Sequence, residues 1–398
     1  MPIPIEEAVA RIRARLSPCP PVSVPLEDAL GCITAAELRA PLDQPPFPRS
    51  PLDGYAVRAA DLAGASAERP AVLDVVGISP AGCPAPVEVA PGQAVRIMTG
   101  GVIPIGADCV VMQENTDGGT ERVAVRQPLL PGQNYCRQGE DFSAGECLAE
   151  AGVPVTAAVL AAAAAAGMDS LRVHPRPRVA VLSTGDELRA PGQPLALGQI
   201  YDANRPYLTG RLRELGVFRT AGGMAEDDPS ALEFALSAAA GRSDLIVSTG
   251  GVSVGQRDRV VETLANLGAE IVFHRVAMKP GMPAAFALLR GTPVLALSGN
   301  PFAAAVTFEL LVRPALAVLS SDPRLESSVA PARLEERCSK GSSVPRFQMG
   351  RLKDGTVRLS PRQENGRIRG LSGNNCLVKL PAGDGVPAGT LVDTFGLG

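Results

Sequence analysis

The sequence predicts a multidomain α/β and β protein, with a central α/β domain built on a parallel sheet between smaller β-rich domains. Three observations carry this. At 398 residues the chain is too long for one ordinary core. Residues 173–321 alternate apolar strands with amphipathic helices, the pattern of a parallel sheet covered on both faces. The flanking segments instead string short apolar runs between Gly, Pro and Asp turns.

In chain order, residues 1–42 open with IEEAVARIRARL, where Val9, Ile12 and Leu16 recur at helical spacing. Residues 43–140 hold the runs YAV, AVLDVVGI, VEV, QAVRIM, CVVMQE and RVAV, read as a small β domain. Residues 141–172 return to a helix between Thr156 and Gly167, its N- and C-terminal stop signals, and group with 1–42 as a linker. In 173–321, VAVLS is followed by Leu208, Leu212 and Leu215, LIVS by Val260, Val261, Leu264 and Leu267, and VLALS by a helix from Phe302. Residues 322–398 hold VRLS, CLVKL and LVDTF, a second small β domain.

Composition bounds the function. Hydrophobic residues make up 45% and charged residues 20%, as in folded globular proteins. A net charge of -3 argues against nucleic acid as the main partner. No apolar run reaches the length of a bilayer span, the longest candidate being the alanine-rich 157–166, and no leader is visible; a cytoplasmic protein is expected. The eight cysteines form no C-x-x-C pair and have no nearby histidine, which points to scattered thiols rather than structural zinc. With only His174 and His274, chemistry needing several histidines is excluded.

Three strands of the α/β region end alike, in Ser183-Thr184-Gly185-Asp186-Glu187, Ser248-Thr-Gly250-Gly251-Val-Ser253 and Ser298-Gly299-Asn300-Pro301. Ligands of open parallel sheets bind at the carboxyl ends of strands, where glycine lets backbone N–H groups approach an anion. One such loop is often only steric. Three on one sheet edge point to a phosphate-bearing ligand, and no dinucleotide or P-loop fingerprint competes. Asp186, Glu187, Asp227, Asp228 and Asp258 lie beside these loops. An Asp before a helix is as readily a cap; several converging on one edge suit a divalent hard cation, Mg2+ being the companion of phosphate. Lys279, on the turn AMKPGMP, is the only lysine before Lys340 in an arginine-rich chain, which hints at a need for a compact ammonium. Gly251-Val-Ser253-Val-Gly255 also fits a hydrolase elbow, with Asp258 and His274 in the right order. Against it, four residues separate Ser253 from the strand, and His274 falls inside a strand-like run.

The residues resemble the molybdopterin molybdenumtransferases, the bacterial MoeA type related to the C-terminal domain of gephyrin. The carriers are SPLDGYAVR (50–58), RIMTGGVIPIGADCVVMQE (96–114), RQGEDFSAG (137–145), VLSTGDEL (181–188), GQIYDANRPYL (198–208), STGGVSVGQRD (248–258), MKPGMP (278–283) and SGNPFAA (298–304). The resemblance implies a molybdopterin-binding α/β domain, an elongated linker and dimerisation domain, and a C-terminal barrel-like β domain. It implies a homodimer that takes adenylated molybdopterin and molybdate as substrates, uses Mg2+, and releases AMP. Molybdopterin adenylyltransferase would be the partner supplying the substrate. By motif, Asp53, Thr99, Asp141, Glu187, Asp227, Asp258 and Lys279 would be catalytic, with Asp227 and Asp258 on the metal. Ser183, Thr184, Gly185, Asp186, Ser248, Gly250, Gly251, Ser253, Pro280, Gly281, Ser298, Gly299, Asn300, Pro301 and Arg346 would bind the ligand. Two positions depart from the family: Met282 stands where a second lysine is usual, and Asn365 where a serine is usual. They motivate an alternative, a divergent paralog that binds molybdopterin or partner proteins and inserts metal weakly or not at all.

Overall fold

A computed structural model describes residues 1–251, 259–361, 363 and 367–398. The chain divides into two compact units, one of residues 1–23, 31–35 and 172–398, the other of residues 24–30 and 36–171.

Helix α1 (Ile5–Arg15) belongs to the first unit. Its apolar stripe, Ile5, Ala8 and Ile12, is buried in the core of that unit, although the sequence groups it with residues 141–172.

The second unit is built on a five-stranded sheet of β1 (Gly54–Val57), β2 (Ala71–Ser79), β3 (Gln93–Ile97), β4 (Cys109–Met112) and β5 (Arg122–Val125), in the order β4-β1-β3-β2-β5. Five of the six apolar runs read from the sequence form these strands; VEV, residues 87–89, does not. Tyr55, Val57, Leu73, Val111 and Val123 fill its core. Helix α2 (Ala157–Ala165) starts at Thr156, whose side chain accepts from the Val159 amide at 3.3 Å.

The larger unit holds β6 (Val179–Thr184), α3 (Asn204–Glu214), β7 (Thr220–Ala225), α4 (Pro229–Ala240), β8 (Leu245–Thr249), α5 (Arg259–Asn266), β9 (Glu270–His274), β10 (Ala285–Leu289) and β11 (Thr292–Leu297). The sheet order is β7-β6-β8-β11-β10-β9. The first four strands are parallel; β10 and β9 pair antiparallel, so the sheet is mixed. Along β6 successive residues serve opposite faces: Val179 and Val181 pack with α1 and α3, Ala180 and Leu182 with α4 and α5.

After β11 come α6 (Pro301–Thr307), one π-helical turn (Phe308–Val312) and α7 (Arg313–Leu319), together the longest apolar helix among the described residues. It supersedes 157–166 as the candidate span, and 94% of it is buried inside the protein. It carries a buried ion pair, Arg313 Nη1 to Glu309 Oε2 at 3.0 Å, joined by Arg211 Nε to Glu309 Oε1 at 2.9 Å.

The chain then closes a five-stranded barrel: β12 (Val329–Leu334), β13 (Arg346–Lys353), β14 (Thr356–Leu359), β15 (Cys376–Leu380) and β16 (Leu391–Gly396). The sequence shows three of these strands plainly; β12 and β13 are broken by Pro331 and by charged residues.

Candidate functional site

A cavity of about 650 Å³ opens at the carboxyl ends of β6, β8 and β11. All three loops read from the sequence meet here. Ser183 and Thr184 come from the first loop, Thr249, Gly250 and Gly251 from the second, and Ser298 to Pro301 from the third. Gly250 has a φ of +96°, and a Cβ there would collide with the Thr184 carbonyl oxygen, so the second loop passes against the first only as glycine. Gly299 lies against Gly250 in the same way, 3.2 Å from where its own Cβ would stand.

Asn204 fixes the arrangement. Its Nδ2 donates to Thr249 Oγ1 and to the Gly299 carbonyl, both at 2.8 Å, which ties loop two to loop three. Its Oδ1, like the hydroxyl of Ser183, is buried with no partner among the described residues. Buried polar atoms are normally satisfied, so orphans on a cavity wall mark the place of a ligand or ordered water. In the sequence Asn204 is one member of the GQIYDANRPYL motif, with nothing there to single it out.

The acids that the sequence sets beside the loops fall in different places, and Asp258 lies outside the described residues. Asp228 is an N-cap, its Oδ2 accepting from the Ala231 amide at 3.0 Å. Its neighbour Asp227 lines the cavity, as does Glu187. The Asp227 amide donates to Asp186 Oδ1 at 2.9 Å, and Arg259 donates to the Asp227 carbonyl. Burial raises the Asp227 carboxyl above its ordinary range; Asp186 and Glu187 add to the rise, and Arg259 opposes it. Asp227 is thus an acid short of positive charge. Among the described residues no three His, Cys, Asp or Glu side chains gather closely enough to enclose a metal.

Several expected residues stand elsewhere. Ser248 is buried within β8 and does not line the cavity, its place being taken by Thr249. Gly185 and Asp186 do not line the cavity; Gly185 is buried and Asp186 is exposed. Asn300 lines the cavity, but its Oδ1 is engaged capping α6, accepting from the Phe302 and Ala303 amides. Ser253, Asp258 and Asn365 lie outside the described residues. His274 ends the edge strand β9, three strands from β8, roughly 14 Å at ordinary strand spacing. That separation gives the hydrolase reading no support.

A second cavity, about 330 Å³, adjoins the first at the start of α6, where Pro301 lines one and Phe302 the other. Its wall carries Lys279, Lys340 and Arg346, with Pro280, Gln348 and Gln363. Backbone pairing places Lys279 and Arg346 here. The Lys279 amide donates to the Pro345 carbonyl at 3.0 Å, and the Phe347 amide donates to the Lys279 carbonyl at 2.8 Å. Gly281 is packed against Thr307 behind the turn, and Met282 is not on the cavity wall. No acid lines this cavity among the described residues. The sequence singles out Lys279 but misses Lys340, which stands 61 positions away in a segment with no strand pattern.

In the second unit, Thr99 gives both its amide and its hydroxyl to Asp53 Oδ1, each at 2.7 Å. These bonds hold the Asp53 carboxyl below its ordinary range. Asp141 bonds through its backbone, donating to the Gln44 carbonyl at 2.9 Å.

Fold and site together define a class: an α/β protein with a cavity of glycine loops and hydroxyls at its strand ends and a neighbouring cationic chamber beside a β-barrel. The comparisons narrow the class. Residues 3–167 match the MoeA N-terminal region (domain I and II), residues 180–318 the probable molybdopterin binding domain, and residues 331–395 the MoeA C-terminal region (domain IV). The molybdopterin molybdenumtransferase 2 of Mycobacterium tuberculosis is 41% identical over 317 residues, 78% of each chain. The molybdopterin molybdenumtransferase of Staphylococcus aureus is 33% identical over 401 residues, 98% of this chain and 95% of that one. A molybdopterin biosynthesis MoeA crystal structure from Pyrococcus horikosii superposes with a TM-score of 0.82 at 29% identity, covering both chains fully. The chain belongs to the molybdopterin molybdenumtransferase family, enzymes of molybdenum cofactor biosynthesis.

Proposed function

We propose that the protein transfers molybdenum from molybdate to adenylated molybdopterin, cleaving the phosphoanhydride and releasing AMP. The observation that carries this is the pairing of two adjacent cavities of different chemistry. The larger offers glycine loops, hydroxyls and orphaned polar atoms to a phosphate-bearing molecule. The smaller offers two ammoniums and a guanidinium to a small dianion.

The residues suit a divalent cation. Asp227 is raised by burial and by two neighbouring acids, a state that a bound cation relieves. Asp227 would hold Mg2+ with Asp258, and the ion would neutralise phosphate charge. The protein's own groups do the rest. Ser183, Thr184 and the loop glycines orient the phosphates, and Asn204 keeps the second and third loops in register. Lys279, Lys340 and Arg346 hold the oxyanion and stabilise charge that grows as the phosphoanhydride breaks.

Asp53, Thr99 and Asp141 are proposed to act in the same reaction within a homodimer. The substrate would come from a molybdopterin adenylyltransferase. The reaction is placed in the cytoplasm, where eight unpaired cysteines are at home.

The paralog reading rests on Met282 and on Asn365, the latter outside the described residues. It is weakened because Lys340 supplies a second ammonium to the chamber. Titration of the full-length protein with adenylated molybdopterin tests the site. Asn204→Ala is expected to weaken binding at least about tenfold, the worth of one well-placed hydrogen bond and its order. Unchanged binding would remove the ligand from this cavity.

A further inference from the structure

The barrel carries a third cavity, about 650 Å³, that the proposed reaction leaves without a role. Its wall presents Arg337, Lys340, Arg351 and Arg358 against one acid, Glu336, among the described residues. The chain as a whole is net negative, at -3, so this concentration of cations is local.

The pairing inside the wall is unfavourable by itself. Arg351 of β13 stands directly opposite Arg358 of β14 in the antiparallel register. Like charges in that position repel. Glu336 answers Arg358 at 3.3 Å, with both side chains about two-thirds exposed. Arg351 has no ion-pair partner among the described residues. A wall that sets guanidinium against guanidinium is relieved when an anion enters.

The cavity is also connected. Lys340 and Gln348 line both it and the inner chamber of Lys279 and Arg346. We propose that the barrel cavity is a capture site for molybdate, a tetrahedral dianion, and that Lys340 is the cation shared between capture site and inner chamber. Cations lining a concave surface focus the field and raise the local concentration of a dianion that the net charge of the protein does not attract. An ammonium on a flexible stem can follow the anion from one cavity to the next, which a planar guanidinium does less readily. This inference rests on the reading of the inner chamber as the oxyanion site.

The test uses equilibrium dialysis of the full-length protein against sodium molybdate, with phosphate and sulfate as competitors, and the molybdate dependence of AMP release. The variants are Arg337→Gln/Arg351→Gln, which alters only the capture site, and Lys279→Ala, which alters only the inner chamber. Wild type is expected to hold two molybdates per chain and the double variant one. Its KM for molybdate should rise about tenfold with kcat unchanged. Its melting temperature should stay level or rise, because a repulsion is removed; a merely structural role would lower it. The capture site is overturned if only Lys279→Ala removes molybdate, or if phosphate displaces the outer anion as readily as molybdate does. If the double variant loses an anion while Lys279→Ala loses none, the inner chamber is not the oxyanion site, and capture for handover through Lys340 is overturned with it. No uptake by wild type overturns both.

Discussion

Lys279 and Arg346 are held side by side by the backbone, the Lys279 amide on the Pro345 carbonyl at 3.0 Å and the Phe347 amide on the Lys279 carbonyl at 2.8 Å. The α/β domain thus gives Lys279, and the barrel region Arg346 and Lys340, to the same chamber. Arg346 is buried, and its long arm cannot be replaced by a lysine that reaches the same point with the same fork. Lys279→Ala and Arg346→Ala are each expected to raise the molybdate requirement about 10- to 100-fold, the range of one charge-assisted bond. Arg346→Lys should recover little. Steady-state kinetics with varied molybdate checks all three.

Met282→Lys is expected to change the molybdate KM by less than about threefold, a margin below 1 kcal/mol. Met282 does not line the chamber, and Lys340 already brings the second ammonium. A large gain in activity would favour the weak-insertion paralog instead.

Asp227 makes a prediction about pH. Its folded-state carboxyl is raised by burial and by Asp186 and Glu187. A raised acid holds its proton more tightly folded than unfolded. Its contribution to stability is therefore full below the ordinary carboxylate range and is lost as pH climbs through the raised value. Asp227→Asn removes that loss. Melts from about pH 4 to about pH 8 should show the metal-free variant gaining on wild type as pH rises. Added Mg2+ should stabilise wild type and leave the variant unmoved. Turnover should fall in the same variant.

Glu309 tests the packing behind the site. It is 2% exposed and answers Arg313, which is 1% exposed, and Arg211. Arg313 also donates to the carbonyls of Leu325, Glu326 and Gly396, so its position is fixed from three sides. Glu309→Ala leaves that charge buried without its partner and is expected to cost about 3–5 kcal/mol in chemical denaturation. Glu309→Gln, which keeps the volume and one acceptor, should cost less.

Gly250 tests the loop crossing. Any side chain there meets the Thr184 carbonyl at a φ of +96°. Gly250→Ala is expected to disrupt the cavity, seen as lost binding of adenylated molybdopterin in a protein whose barrel still melts cooperatively.

Much of this was legible because it is periodic or repeated. The α/β alternation announces itself in VAVLS, LIVS and VLALS, and the three loop sequences share one grammar, so the sheet edge could be read as a binding edge. Strand β7, TAGGMA, was harder, since an edge strand carrying two glycines lacks the apolar run of a central one. Ser248 was misplaced because alternation decides which hydroxyl of Ser248-Thr249 faces the ligand, and strand register is not written in the loop. Without the resemblance, which points to Asp227, the sequence does not separate Asp227 from Asp228; in the structure the second caps a helix and the first lines the cavity. Of the chamber, Lys279, Pro280 and Arg346 were legible through the family resemblance and Lys340 was not. The chamber forms because β13 docks beside the Lys279 turn, a contact between segments far apart in the chain.

The most direct test of the central claim is AMP release from adenylated molybdopterin by the pure, folded protein with Mg2+, with and without molybdate. The account expects turnover that molybdate stimulates and that Lys279→Ala and Asp227→Asn suppress. Folded protein that binds the adenylated substrate yet releases no AMP at any molybdate concentration would contradict it.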